Sequence, residues 1–132
     1  SAGESSVACD IVQQRCLDDY YTQGKRSFLK LDVEGFEIAV LDGAGTTLRD
    51  PNLMGLLVED DGSTKRYGEV RRAPGVLAEH GFLQYVYDPL LRSLTPRTAS
   101  ARGTNKLFLR DVSFATSRVK AAPRFQLVNG SI

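Results

Sequence analysis

Apolar and polar positions switch between two periods along this chain, and the switches outline its elements. In "SFLKLDV", Phe28, Leu29, Leu31 and Val33 are apolar with little alternation, the pattern of a parallel strand covered on both faces. Gly35 then permits a turn. In "GFEIAVLDGAGTTL", Phe36, Val40, Ala44 and Leu48 recur at every fourth residue, which predicts one helical face. Gly43 and Gly45 weaken that helix beyond Leu41, and Pro51 in "RDPN" ends it. "LMGLLVE" predicts a second buried strand, and the polar "GSTKRYGEVRR" a loop running into a turn of helix. "APGVLAEHGF" carries helix punctuation at both ends, with Pro74 suited to the first turn and Gly81 to a left-handed cap after His80.

The flanks are less regular. "CDIVQQRCLDDYY" predicts a short extended piece around Ile11 and Val12. A short helix follows, with Asp18 and Asp19 in its first turn, where the helix dipole favours carboxylates. "FLQYVYD" reads as a strand from its aromatic and β-branched content. "PLLRSLTPRTASARGTN" is a long connection, of a length that is usually functional or mobile. "KLFLRD" is the last predicted strand and "VSFATSRVKAA" a weakly amphipathic helix before Pro123. This order is α/β within a single domain spanning residues 1–132. The first three strands are expected to be parallel with right-handed crossovers, and the final pair an antiparallel hairpin.

Composition narrows the function classes without selecting one. The 132 residues suffice for one domain with its own core, and 42% hydrophobic with 25% charged residues is ordinary for a soluble globular domain. A net charge of +1 gives no electrostatic case for nucleic acid or an acidic membrane, and the scattered arginines read as a solvated surface. No apolar run approaches the roughly 20 residues of a membrane-spanning helix, and no signal peptide is visible, so a cytoplasmic location is expected. The start lacks an initiating Met, which suggests a processed or trimmed beginning. Cys9 and Cys16 lack C-x-x-C spacing and His80 lies far off, too few ligands for a zinc site. They are expected to be reduced, partly buried thiols, with a bridge between them as the alternative.

Candidate chemistry sits where the strands end. "LDVEG" and "LVEDD" place Asp32, Glu34, Glu59 and Asp60 along one rim if those strands are parallel neighbours. Clustered carboxylates there can act as a general base, hold a hard metal, or bind the hydroxyls of a cofactor or substrate. They can equally cap helix N-termini and bind surface water.

"FLKLDVEGFEIAVLDGA", then "LLVED", then "NKLFLRD", with "CLDDYY" upstream, resembles the C-terminal half of an FkbM-type methyltransferase domain. The resemblance implies a partial Rossmann-like sheet of three parallel strands plus a C-terminal antiparallel strand, with flanking helices. It also implies S-adenosylmethionine as methyl donor and transfer to a hydroxyl oxygen of a small molecule or glycan. Asp32, Glu34, Gly35 and Glu37 match the family's central motif. By that match Asp32 and Glu34 are the catalytic candidates, Asp32 and Gly35 the donor contacts, and Glu59 and Asp60 the substrate side or rim. Glu37, inside the helical pattern, is expected to make a structural hydrogen bond, and Lys30 matches the family's strand lysine.

The departure from the family concerns the donor. No "G-x-G-x-x-G" or "D-x-G-A-N" turn is present, and "DGAG" at Asp42 to Gly45 follows a helix, not a strand. The chain thus resembles a half that lacks the donor-binding turn, which leaves one edge of the "FLKLDV" strand without a partner. That edge is expected to be covered by "CDIVQ" or by a second copy in a homodimer, unless a missing N-terminal half fills it. A non-catalytic, self-associating α/β module derived from such an enzyme is the alternative function.

Overall fold

The computed structural model describes residues 9–59, 73–98, 103–127 and 130–131. Strands β1 (Ser27–Leu31) and β2 (Leu53–Glu59) form a parallel pair, joined by helices α1 (Glu37–Asp42) and α2 (Gly45–Arg49). Helix α3 (Ala73–Glu79) leads into β3 (Leu83–Asp88), which is followed by β4 (Ser93–Pro96) and β5 (Asn105–Leu109). Helix α4 (Val112–Ala121) and a small separate hairpin of β6 (Gln126–Leu127) and β7 (Gly130–Ser131) complete the described chain.

The five-stranded sheet runs β1-β2-β5-β3-β4, and this corrects the expected order. β1 and β2 are the parallel pair, but β3 does not neighbour β2. β5 lies between them, antiparallel to both, so β1, β2 and β3 still share one direction. The physical reason is the long connection after β3, which gives β5 enough chain to return into the gap. The antiparallel β3–β5 pairing is present, from Leu83↔Leu109 to Tyr85↔Leu107. Part of the connection is itself a strand: "SLTP" forms β4 and pairs with β3 at the sheet edge, where a proline is tolerated.

Helices α1, α2 and α3 cover one face. Leu31, Leu56, Val58 and Phe108 point into that layer and pack with Ile38, Leu41, Leu48 and Leu77 in a single core cluster. The expected long helix is broken in two at Gly43 and Ala44, consistent with its two glycines. α3 ends as its punctuation predicts. Gly81 takes φ +81, and the Phe82 and Gly81 amides donate to the carbonyls of Leu77 and Ala78. In β2, Gly55 permits close strand packing, since a Cβ there would lie 2.6 Å from the Phe108 carbonyl oxygen and 2.8 Å from the Phe28 ring.

The N-terminal segment does not cover the β1 edge. Among the described residues β1 pairs only with β2, while Ile11 is 100% exposed and makes no strand. A run of two apolar residues between polar neighbours buries too little surface to hold an added strand in place. The expected helix beyond it is a single 3₁₀ turn, Leu17–Asp19. Cys9 and Cys16 are free, and both are exposed where partial burial was expected.

That 3₁₀ turn has a different task, which local pattern did not reveal. The Asp18 amide donates to the Gly43 carbonyl at 3.2 Å, closing the end of α1. Its carboxylate accepts from the Thr46 amide at 2.8 Å, the Thr47 amide at 2.8 Å and the Thr47 hydroxyl at 2.6 Å. Ala44, at the N-cap of α2, has no side chain able to do this. Asp18 therefore caps α2 from a distant segment. Burial works to raise its pKa, but the bonds from Thr47 and Thr46 outweigh it and bring the value down to about 2.

Because the folded-state value lies below the unfolded one, folding favours ionised Asp18. Its contribution is complete above about pH 4 and is lost as pH falls toward about 2. Asp18→Ala is expected to lower stability by about 1–2 kcal/mol near neutrality. Urea denaturation at pH 7 and pH 3 should show the gap between the two proteins narrowing at the lower pH.

Candidate active site

The motif "DVEG" forms a tight turn at the carboxyl end of β1. The Phe36 amide donates to the Val33 carbonyl at 3.2 Å, and both intervening residues have positive φ, 52° at Glu34 and 97° at Gly35. Glycine adopts that region freely, whereas a residue with a Cβ is strained there by about 1–2 kcal/mol. Glu37 holds the turn. It is buried, and its Oε1 accepts from the Gly35 amide at 3.2 Å and the Val33 amide at 3.4 Å. The expected structural role of Glu37 is what the geometry displays.

The turn leaves Asp32 and Glu34 exposed at the rim, with Glu59 half-buried beside them at the end of β2. Leu31 and Val58 are register partners, so the residues that follow them are brought together. Lys30, two positions before Asp32 and on the same side of the strand, places its Nζ 2.6 Å from Asp32 Oδ2. A hydrogen bond from Lys30, a further one with Glu59 and the Lys30 charge hold the Asp32 pKa below its usual value. Glu59 moves the other way. Its hydrogen bond with Asp32, the Asp32 charge, its burial and the charge of Glu34 all raise its pKa. The two carboxyl groups thus divide the work, with Asp32 staying ionised and Glu59 holding a proton to higher pH.

Of the residues singled out in the sequence, Asp32, Glu34, Gly35 and Glu59 meet at this rim, and Asp60 lies outside the described residues, as does the polar stretch that follows it. Among the described residues no group of three or more His, Cys, Asp or Glu side chains could hold a metal ion, and no helix is long and apolar enough to cross a membrane. The part of Lys30 as the ion-pair partner of Asp32 was overlooked, although the two-residue period of a strand places them side by side.

The chain matches the family model described as the methyltransferase FkbM domain over residues 1–83, well over half of its length. It belongs to the FkbM methyltransferase family. The match takes in the 3₁₀ turn, β1, the "DVEG" turn, β2 and α3. No curated protein and no solved structure matches the chain significantly.

Methyltransferase membership suggests S-adenosylmethionine as the donor. "DGAG" closes α1 and opens α2, so it is a break between helices and not the strand-to-helix turn that cradles a nucleoside.

Two outcomes are expected from this geometry. In Asp32→Asn, the Glu59 pKa should fall toward the ordinary carboxylate value, as followed by NMR titration of the side-chain carboxyl. Glu34→Gly should relieve the strained φ and raise stability by about 0.5–1 kcal/mol after the entropy of the added glycine is deducted, as read by urea denaturation.

Proposed function

We propose that this chain is the C-terminal portion of an S-adenosylmethionine-dependent O-methyltransferase of the FkbM family. The observation that carries the reading is the pair of unlike carboxyl groups, Asp32 and Glu59, at the ends of adjacent parallel strands in a member of that family. Three strands of common direction with an antiparallel strand among them support a partial Rossmann-like sheet. The glycine-rich donor turn is then supplied by polypeptide outside the residues described, either an N-terminal half or a second copy.

The donor, when bound, supplies an electrophilic methyl group. The chain's own part is to prepare an acceptor hydroxyl on a small molecule or glycan. Asp32, kept ionised by Lys30, accepts a hydrogen bond from that hydroxyl and orients it. Glu59 is the stronger base once ionised, because its proton affinity is raised, and takes the hydroxyl proton on its carboxylate. Glu34 keeps Glu59 basic through its charge, and Asp32 with Gly35 contacts the methionine end of the donor.

A second reading has an observation of its own. β1 ends the sheet with its outer edge unpaired among the described residues, and Phe28 on it is 51% exposed. A non-catalytic module that associates through this edge accounts for the unpaired strand, and one that also covers the sheet face beside it accounts for Phe28.

Calorimetric titration of S-adenosylmethionine and S-adenosylhomocysteine into the purified chain, with its solution mass recorded, separates the two. Micromolar binding that weakens about tenfold or more in Asp32→Ala supports the enzyme, a tenfold change being about 1.4 kcal/mol. Absence of heat together with a stable dimer supports the module.

A further inference from the structure

The face of the sheet opposite α1–α3 is only partly closed. α4 lies over it, yet none of the residues of α4 is buried, and a groove of about 980 Å³ remains between helix and strands. Strand register builds the floor. Leu57, Leu107 and Tyr85 are consecutive cross-strand partners, and Phe28 and Leu109 flank them in the next row. Phe114 and Val119 of α4 form the facing wall. From the Ser27 level to Asn105, the partner of Glu59, the floor spans the seven residues of β2, roughly 20 Å at about 3.3 Å per step.

The charge on this groove has one sign. Arg26, Arg97 and Arg118 line it, and no described lining residue is acidic. Arg26 stacks on the Phe114 ring, its Cζ 4.9 Å from the centroid. Arg118 follows Phe114 by four positions, so it lies one turn further along the same side of α4. Arg26 and Arg118 thus both line the groove on the α4 side, beside Phe114, at the border of its apolar floor. Guanidinium groups bind carboxylates through paired, charge-assisted hydrogen bonds. The volume lies within the range of sites that enclose small molecules, and an apolar lining left bare forfeits its contacts.

We propose that this groove binds a long-chain carboxylate, its hydrocarbon along Leu57, Leu107 and Leu109 and its head group at Arg26 and Arg118. The site is independent of methyl transfer, and its test measures binding alone.

The experiment is displacement of 1-anilinonaphthalene-8-sulfonate from the full chain by hexadecanoate, with hexadecan-1-ol as uncharged control and solution mass recorded. Hexadecanoate is expected to displace the dye at micromolar concentration and the alcohol about tenfold more weakly. Arg118→Ala, at an exposed position, should bring the carboxylate down to the level of the alcohol. Val119→Glu should abolish displacement with an unchanged melting curve, and Ala115→Glu repeats that test at a second position on the same wall. No displacement, equal binding of the alcohol, or displacement untouched by the wall variants would overturn the proposal. So would a dimer that leaves the dye no site, with a second copy filling the groove, or tighter binding of hexadecyl phosphate than of the carboxylate.

Discussion

Glu37 is the carboxylate on which the site's geometry depends. It is only 6% exposed, a position where a charge is costly unless hydrogen bonds replace lost water, and the amides of Val33 and Gly35 do so. Those two amides lie just past the end of β1, where the ladder to β2 stops. By accepting from both, Glu37 fixes the point at which strand gives way to helix, and α1 begins at Glu37 itself. Everything nearby inherits that point. Ile38 and Leu41 are directed into the core, while Asp32 and Glu34 are left outward on the rim.

The rest of the α1–α2 unit is pinned in the same way, by carboxylates that bond to amides. Asp18 closes the break between the two helices, as described above. Asp50, buried after α2, has its pKa lowered by the Asn52 amide and then by the Gly24 amide, and its Oδ2 also accepts from the Tyr21 hydroxyl at 3.1 Å. Arg110 completes the frame, donating to the Leu48 carbonyl at 2.6 Å while its guanidinium covers the Phe82 ring. Apart from the local bond of Asn52 to Asp50, these contacts join segments far apart in sequence, so the rim stands on a braced layer although the opposite face of the sheet is loosely covered.

This long-range bracing explains which features were legible in the sequence. α3 was, because Pro74 and Gly81 punctuate it locally, and so was the structural part of Glu37, from its place inside a helical pattern. β1 and β2 were legible as strands, and their acids as a rim. The place of β5 was not, since the apolar residues of a short strand carry no mark of its direction or neighbours. β4 was hidden because "SLTP" has one large apolar residue and a proline, and earns its place only by pairing with β3. The cap that Asp18 provides was invisible for a similar reason. Its partner helix begins at a residue with no capping side chain, and nothing in "LDD" says which distant amides it will meet. At the rim, the strand period predicts that Lys30 and Asp32 are adjacent. The opposite pKa shifts of Asp32 and Glu59 follow from a three-dimensional contact that no spacing encodes.

The ion pair of Lys30 and Asp32 has a further consequence at the margin of the sheet. β1 is the end strand, and its apolar neighbours Leu29 and Leu31 would suit stacking of one chain on the next into a fibril. Lys30 on that strand and Asp32 just past its end penalise each parallel, in-register addition, because every new layer would stack like charges. The two side chains that set the electrostatics of the rim thereby serve as gatekeepers against amyloid-like growth.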